Sequence, residues 1–255
     1  GSVETGRKVA AATAPNFVRS QLEMGSKNAL LIADDADIQI AVEATIAGSF
    51  SGSGQKCTAS SRLVVMDKVH DVYVEALIKR MSELTVGHAL KEGVFMGPVV
   101  DSKQLESNFA WLNKATTSGA EVGFGGERLN LEHEGYYMSP TLLLDTKNSW
   151  EVNQEEVFAP MASVIRVADL EEGIATVNDT RFGLTGGIIT QSLRNSAMFK
   201  EQAQTGCVMV NLATAGTDYH VPFGGRKESS FGPREQGQYA KEFYTVVKTT
   251  YQRPY

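Results

Sequence analysis

The feature that most constrains the fold is an alternation of short apolar runs with helical patterns along the chain. The runs 29–33, 63–66 and 162–167 are rich in aliphatic residues, as strands buried on both faces are. Segments with a helical spacing of apolar residues follow two of them, at 69–84 and 170–178. His70 and His88, at the two ends of the first segment, are expected on its solvent side. Strands that alternate with helices form parallel sheets covered by helices. The sequence therefore predicts an α/β fold with a largely parallel sheet flanked by helices.

The same patterns predict the remaining elements. Ser2 is a suitable N-cap for a helix at the start of the chain, and Asp34 and Asp35 are suitable caps for a helix that leads toward Cys57. The alternating residues of 18–24 indicate a half-buried strand. Further helices are expected at 102–118 and 193–204, further strands at 136–144, 185–190, 206–211 and 242–250, and a long loop rich in Gly and Pro at 215–236.

A glycine-containing turn carries the candidate nucleophile. Residues 51–62 read SGSGQKCTASSR, with Cys57 placed after Gly54 and next to Lys56. Glycines let the backbone approach a ligand closely, and the N–H groups of such a turn can point into one concavity. Nearby positive charge and N–H dipoles lower the pKa of a thiol and activate it. The other reading of Cys57 is an inert core residue, the role that we expect for Cys207 in its apolar strand.

Composition and charge exclude several classes of function. The chain has 255 residues, of which 42% are hydrophobic and 21% charged, as in ordinary globular proteins. Its net charge of -6 gives no basic surface for nucleic acid or an anionic membrane. No apolar run approaches a membrane span and no signal peptide is recognisable, so we expect a cytoplasmic protein. Two cysteines and four histidines without ligand-like spacing predict no metal site.

Four short segments, in this order, resemble the aldehyde dehydrogenase superfamily. They are LEMGSKN (22–28), GQKCT (54–58), EVFAP (156–160) and PFGGRK (222–227). Each is a modest signal, but four in register, with Glu23 and Cys57 separated by 34 positions (57 minus 23), are highly specific. The resemblance covers the whole chain but only the C-terminal half of a family member. The segments 218–227 and 232–237 are most similar to the α-ketoglutaric semialdehyde dehydrogenase branch.

The resemblance implies roles for two residues in the oxidation of an aldehyde, with a semialdehyde as the expected substrate. Cys57 would attack the aldehyde carbon to give a thiohemiacetal, hydride would pass to NAD or NADP, and water would release the acid from the thioester. Glu23 would be the general base that activates this water or the thiol. The backbone N–H of Cys57 would be one donor of the oxyanion hole.

The resemblance also implies residues that bind the nicotinamide end of the cofactor. Glu156 would bind the ribose hydroxyls, Phe158 would lie against that end of the cofactor, and Ser2 would contact the pyrophosphate at a helix start. The groups that hold the adenosine ribose belong to the half of a family member that the resemblance does not cover, which leaves NAD and NADP both open. The other candidates of the cofactor site are Met24, Gly25 and Phe223, the last on the substrate side of the tunnel.

By the same resemblance, the chain divides into three parts. Residues 1–24 would be a trailing helix and strand of the cofactor-binding domain, and 25–212 the catalytic thiol domain. Residues 213–255 would hold an active-site loop, a helix and an oligomerisation strand. This final strand would join subunits in a homodimer or homotetramer.

Two positions depart from the family pattern. Ser26 stands where the family usually has a second glycine, so its side chain is expected to narrow the movement of Glu23 or to change the seat of the cofactor. Ala159 replaces the usual glycine of a Phe-Gly-Pro turn, which predicts a negative φ there or a tolerated strain.

Two other functions compete with an active dehydrogenase. The chain could be a folded but catalytically inactive fragment that keeps the catalytic domain and the subunit interface. It could also be a thiolase-like or protease-like cysteine enzyme, which requires a histidine base near Cys57. His220 is the candidate for that base, although nothing else in the sequence recommends it.

Overall fold

The computed structural model describes residues 1–255 and contains eight α-helices and eleven β-strands. The helices are α1 (Val3–Thr13), α2 (Ile38–Thr45), α3 (Asp67–Ser82), α4 (Ser102–Thr117), α5 (Glu151–Gln154), α6 (Leu170–Asn178), α7 (Leu193–Gln202) and α8 (Gly237–Tyr244). The strands are β1 (Leu22–Glu23), β2 (Asn28–Ile32), β3 (Ser60–Met66), β4 (Glu121–Phe124), β5 (Arg128–Leu129), β6 (Tyr137–Met138), β7 (Thr141–Leu144), β8 (Met161–Val167), β9 (Thr185–Ile189), β10 (Cys207–Val210) and β11 (Ser230–Phe231).

Seven strands form the central sheet, in the order β10-β9-β2-β3-β8-β7-β4. All neighbouring pairs are parallel except β4 and β7. Two small antiparallel pairs lie outside this sheet, β1 with β11 and β5 with β6. The prediction of an α/β fold with a largely parallel sheet is therefore confirmed.

Helices cover both faces of the sheet because its strands are apolar on both sides. Leu30 and Ile32 of β2 face one way and pack in a cluster with residues of α2 and α3. Ala29 and Leu31 of the same strand face the other way, toward α6 and α7. A third cluster lies beneath α4 and α5 and includes Leu143 of β7. None of the helices combines the length and the apolar character that a membrane crossing requires.

A buried arginine joins several of these elements. Arg62 of β3 is fully buried, and its five N–H groups all have acceptors. Nε and Nη2 donate to the Lys27 carbonyl at 3.1 and 2.9 Å, and Nη2 also donates to the Val177 carbonyl at 2.9 Å. Nη1 donates to the Thr176 carbonyl at 2.7 Å and to Asn148 Oδ1 at 2.8 Å. The guanidinium thus connects the start of β2, the last turn of α6 and the Asn148 loop.

The predicted helix at 34–50 is shorter than expected. Its N-cap is Asp37, which accepts from the Ile40 N–H at 3.0 Å, and not Asp34 or Asp35. After Thr45 the chain continues as one π-helical turn, Ile46–Phe50, and then as the 3₁₀ turn Ser51–Gly54. The continuous apolar spacing hides this change of helix type, because side chains of the π turn are also buried.

The two predicted strands near the chain ends are the largest errors. Of the expected strand 18–24, only β1 forms, and Val18 is exposed. In the expected strand 242–250, the first residues belong to α8, and the residues from Thr245 onward pair with no strand of this chain. Aromatic and β-branched composition favours a strand only where a partner strand is present. The division of the chain into three parts remains a prediction.

Two side chains differ in environment from expectation. His70 was expected on the solvent side, but it is buried and its Nδ1 lies 2.7 Å from both Asp71 Oδ1 and Arg166 Nη2. Cys207 was expected in the core, but it is half-buried, because β10 is the edge strand of the sheet. In both cases, the local sequence predicts the helix or strand correctly, but the exposure of the side chain depends on neighbouring elements that the local sequence does not specify.

We expect Arg62→Met to lower the free energy of unfolding by about 3 kcal/mol or more, because three buried carbonyls lose their donors while the volume is largely kept. Urea denaturation measures this loss. Arg194→Met, at an exposed position of α7 without a side-chain hydrogen bond, is the control and is expected to change stability by less than about 0.5 kcal/mol. Equal effects of the two substitutions would contradict the role assigned to Arg62.

Candidate active site

The candidate site lies at the amino ends of three neighbouring parallel strands. Met24 and Gly25 precede β2, the Cys57 turn precedes β3, and Phe158 precedes β8. In the sheet β2, β3 and β8 are adjacent, so their starts lie side by side. Ligands of open α/β sheets more often bind at the carboxyl ends of the strands. The sequence motifs, and not this general rule, locate the site.

The turn before Cys57 has a left-handed backbone at three successive residues. Gly52, Ser53 and Gly54 have φ values of 62°, 59° and 64°. Ser53 is held in this conformation by its hydroxyl, which donates to the Gly97 carbonyl at 2.9 Å. A Cβ at Gly54 would lie 2.2 Å from the Ala159 carbonyl oxygen. Glycine at this position therefore lets the nucleophile turn lie directly against the segment that carries Phe158.

The side chains of Glu23 and Cys57 meet in one cleft. The proximity of the two side chains acts to lower the pKa of Glu23 and to raise that of Cys57. Burial raises the pKa of Glu23 by more than the neighbouring Cys57 lowers it, so the pKa of Glu23 is raised overall. Its Oε1 is buried without a hydrogen-bond partner. A buried carboxylate oxygen that is unpaired beside a thiol is suited to accept a proton from the thiol or from a water.

The expected activation of the Cys57 thiol by its turn is wrong for this structure. Burial, followed by the charge of Glu23, raises the pKa of Cys57 to about 12. Lys56 was expected to supply positive charge, but its ammonium is exposed and donates to Ser51 Oγ at 3.0 Å. The backbone N–H of Cys57 does lower the thiol pKa, but by less than burial raises it. The thiol is therefore largely protonated at neutral pH.

A second carboxylate, that of Glu156, lies against the loop after β1. Its Oε1 accepts from the Ser26 N–H at 2.8 Å, and a Cβ at Gly25 would lie 2.8 Å from its Oε2. Burial raises the pKa of Glu156, while the Ser26 N–H and the charge of buried Lys27 act to lower it. Gly25 thus makes room for the carboxylate, and Ser26 holds it.

Phe158 and Ala159 form the turn that follows Glu156. Phe158 has a φ of 59°, whereas Ala159 is not among the residues with positive φ. The expectation of a negative φ at Ala159 is therefore confirmed, and the left-handed conformation falls on the preceding aromatic residue. A non-glycine residue in this region of φ stores strain and is common at functional sites.

These groups surround a cleft of about 640 Å³. Of the predicted site residues, Cys57, Glu23, Met24, Glu156, Phe158 and Phe223 line it, together with residues that the sequence reading did not single out, among them Gln55, Thr58 and Thr217. Phe223 is buried and is held by two backbone hydrogen bonds with Glu235, of 2.8 and 2.7 Å.

Two predicted site residues lie outside this cleft. Ser2 and Gly25 line a neighbouring cleft of about 300 Å³, which shares Glu156 with the first. The Ser2 hydroxyl is the N-cap of α1 and accepts from the Thr5 N–H at 3.1 Å. Ser2 is therefore placed at a helix start as expected, and its contact with a cofactor stays a prediction.

Ser26 makes no hydrogen bond to Glu23, and the expectation that its side chain narrows the movement of Glu23 or changes the seat of the cofactor stays a prediction. Its hydroxyl donates to Asn28 Oδ1 at 2.5 Å. Asn28 in turn donates from Nδ2 to the Cys57 carbonyl at 2.7 Å and to the Ala59 carbonyl at 2.9 Å. The sequence reading missed Asn28, although a polar residue at the start of a fully apolar strand is a signal that could have found it.

The histidine-assisted cysteine enzyme finds no support in the geometry. His220 is exposed, is not among the residues that line the cleft, and contacts Tyr219 edge to face with ring centroids 5.5 Å apart. The group beside the Cys57 thiol is a carboxylate.

The profile of the aldehyde dehydrogenase family matches residues 1–250. The chain belongs to the aldehyde dehydrogenase family. It is 38% identical to the α-ketoglutaric semialdehyde dehydrogenase of Bacillus subtilis over 100% of this chain and 52% of the relative. It is 36% identical to the betaine aldehyde dehydrogenase of Rhizobium leguminosarum over 98% of this chain and 51% of the relative. The chain thus spans about half the length of the curated relatives it matches.

Solved structures agree with this membership. The betaine aldehyde dehydrogenase of Staphylococcus aureus in complex with NAD+ superimposes with a TM-score of 0.93 at 30% identity, over 96% of this chain and 49% of that chain. An E. coli NADP dependent enzyme gives a TM-score of 0.90 at 35% identity, over 96% and 50%. The resemblance in the sequence is confirmed, while the roles of the individual site residues stay predictions.

We expect Gly54→Ala to lower the free energy of unfolding by at least about 2 kcal/mol, because the new methyl group meets the Ala159 carbonyl and the backbone is left-handed. Gly93→Ala is the matched control, since Gly93 has a φ of 76° but no atom within 4 Å of a new Cβ. Thermal or urea denaturation of both variants separates the contact from the backbone strain. Equal losses would show that the contact with Ala159 contributes nothing.

We expect Glu23→Gln to speed the alkylation of Cys57 by iodoacetamide near pH 8 by about 3- to 10-fold, as a fall of half to one unit in the thiol pKa would do. The sign follows from the charge of Glu23, which raises the pKa of the thiol, so its removal increases the thiolate fraction. Peptide mass spectrometry follows both cysteines, and half-buried Cys207 is the internal reference. An unchanged rate at Cys57 would show that the two side chains do not interact, and a slower rate would show that Glu23 acts on the thiol mainly as a base and not through its charge.

Proposed function

We propose that this chain carries the thiol half of an NAD(P)+-dependent aldehyde dehydrogenase that oxidises a semialdehyde to the corresponding acid. The observation that carries the proposal is the meeting of the Glu23 carboxylate and the Cys57 thiol in one cleft, with Glu156 and Phe158 on its wall. The similarity to enzymes named for α-ketoglutaric semialdehyde supports the substrate class.

In the proposed reaction, the Cys57 sulfur forms a bond to the aldehyde carbon while its proton passes to Glu23. The carbonyl oxygen takes up a proton to complete the thiohemiacetal, with the free N–H of Cys57 as a donor to that oxygen. The proton that this oxygen takes up is the one that Glu23 received from the thiol, so Glu23 is again unprotonated. Loss of hydride from the carbon to the oxidised cofactor, and of the hydroxyl proton to solvent, would then leave a thioester. Glu23 then removes a proton from an attacking water, the carbon–sulfur bond breaks, and the acid and the free thiol are released.

The residues present fit the nicotinamide end of a dinucleotide. Gly25 leaves the space that Glu156 occupies, Glu156 Oε2 makes no hydrogen bond within the chain, and Phe158 offers a ring at the same wall. Glu156 would hold the ribose hydroxyls and Phe158 would flank the ring. The bound cofactor would supply the hydride acceptor. Ser2, Met24 and Gly25 would complete this surface, and nothing in it favours NAD over NADP.

We further propose that the intact enzyme is a homodimer or homotetramer whose interface includes the C-terminal tail. Val246, Val247 and Tyr251 are each more than nine-tenths exposed, which is an unusual cost for apolar side chains unless another surface covers them. A cytoplasmic location stays an expectation from the sequence.

We expect a small semialdehyde to protect Cys57 of this chain from iodoacetamide, because thiohemiacetal formation consumes the free thiol. The rate at Cys57 should fall several-fold at millimolar aldehyde, while the rate at Cys207 stays unchanged. The matching alcohol, which has no carbonyl carbon, is the control ligand and should not protect. Alkylation of Cys57 that is indifferent to aldehyde would overturn the proposed function.

We expect no aldehyde-dependent formation of NADH or NADPH by the 255-residue chain alone, because it matches only 52% of the length of its Bacillus subtilis relative and, by the resemblance, the adenosine-binding groups would lie in the other half. This is the inactive-fragment alternative, and it concerns this chain and not the intact enzyme. Turnover that is measurable and is lost in Cys57→Ala would refute it.

A further inference from the structure

Three successive carbonyls of the nucleophile turn are held by side chains. Asn28 Nδ2 donates to the carbonyls of Cys57 and Ala59, at 2.7 and 2.9 Å. Thr214 Oγ1 donates to the carbonyl between them, that of Thr58, at 2.8 Å. The peptide planes that follow the thiol are therefore fixed by side chains from β2 and from the loop after β10.

Asn28 itself has a single acceptable orientation. It is 3% exposed, and its Oδ1 accepts from the Thr185 N–H at 3.0 Å and from the Ser26 hydroxyl at 2.5 Å. All four hydrogen-bonding positions of the amide are therefore occupied. A flipped amide would place its NH₂ group against the Thr185 N–H and its oxygen against two carbonyls.

Ser26 connects this amide to the second carboxylate of the cleft. Its N–H donates to Glu156 Oε1 at 2.8 Å, and its hydroxyl donates to Asn28. A glycine, the usual residue of the family at this position, would keep the first bond and lose the second. The hydroxyl of this chain thus adds a link that backbone atoms alone cannot make.

We propose that Ser26 is a positioning residue, whose hydroxyl fixes the Asn28 amide and thereby holds the Cys57 turn with its thiol beside Glu23. The inference rests on the proposed function only for its consequence in catalysis. Without the hydroxyl, Asn28 Oδ1 keeps the Thr185 N–H alone, and the amide gains freedom to rotate away from the Cys57 carbonyl.

The charges that face the thiol determine in which direction the pKa of Cys57 would change if this restraint were lost. The carboxylates of Glu23 and Glu156 both raise the pKa of Cys57, and Glu235 faces Glu23 from the loop before α8. Lys56 directs its ammonium to Ser51. A turn that moves more freely takes the thiol out of this buried, negatively charged surrounding, so the pKa of the thiol falls and its thiolate fraction rises.

The test is Ser26→Ala in the 255-residue chain. We expect the alkylation of Cys57 near pH 8 to rise by about threefold or more, the effect of half a pKa unit, and its pH profile to shift to lower pH. Amide hydrogen exchange of the peptide that covers residues 55–61 should also become faster. The alkylation rate of Cys207 should not change.

Ser139→Ala is the matched control. Ser139 is also buried, and its hydroxyl accepts from the Glu127 N–H at 2.9 Å, but it makes no hydrogen bond to the Cys57 turn. It should leave the pH profile of Cys57 unchanged. An unchanged profile and unchanged exchange in Ser26→Ala, or equal changes in both variants, would overturn the proposal.

The two proposals fail in different ways. If semialdehyde does not protect Cys57 but Ser26→Ala still shifts its pH profile, the positioning role stands and the dehydrogenase function falls. If aldehyde protects Cys57 and Ser26→Ala behaves as the parent chain, the function stands and the positioning role falls.

Discussion

The structure depends on the buried guanidinium of Arg62. Removing a guanidinium from water is costly, and burial lowers the pKa of Arg62 to about 10, so it still carries its charge at neutral pH. The five hydrogen bonds of its N–H groups compensate this cost, and four of them end on backbone carbonyls. Because two of these bonds end on the Lys27 carbonyl, the same arginine holds the peptide group that joins Lys27 to Asn28. The central sheet and the candidate site therefore share one anchor.

The position of the site follows from the order in which the chain crosses the sheet. The strands β2, β3 and β8 are neighbours and parallel, so the segments that enter them meet at one edge. These segments carry Glu23, Cys57 and Glu156, which are distant along the chain. Close approach is then decided by small residues. Gly54 allows contact with Ala159, and Gly25 allows contact with Glu156. The cleft is a consequence of strand order combined with two glycines.

The fold could be predicted from the sequence where buried apolar residues recur with the regular spacing of a helix or a strand. The pattern of apolar residues predicts the limits of α6 correctly. Asp169 caps this helix, and its buried residues recur with regular helical spacing. The strand 18–24 could not be judged in the same way, because alternation describes a pattern of exposure but not the presence of a partner strand. Only β11, more than 200 positions later, provides a partner, and it covers two residues.

The sequence predicts which residues belong to the candidate site, but it does not predict how the site shifts the pKa of its thiol. The order of the sequence motifs predicts that Glu23, Cys57, Glu156 and Phe158 belong to one site, and all four line the cleft. The direction of the thiol pKa was wrong, because a turn with glycines and a lysine suggests activation, whereas the sign depends on burial and on a carboxylate 34 positions away (57 minus 23). Neither quantity is present in a local pattern. Asn28 was missed because its role is visible only through the carbonyls it holds.

The two carboxylates and the thiol form one electrostatic unit. Burial raises the pKa of each of the three, the charges of Glu23 and Glu156 both raise that of Cys57, and the charge of Glu156 also raises that of Glu23. The thiol is therefore largely protonated at neutral pH, and the unpaired oxygen of Glu23 in the same cleft is suited to accept its proton when an electrophile is bound beside the sulfur. Geometry, more than the ordinary acidity of a thiol, then sets when Cys57 reacts, and this is why the hydrogen bonds that hold its turn matter to its chemistry.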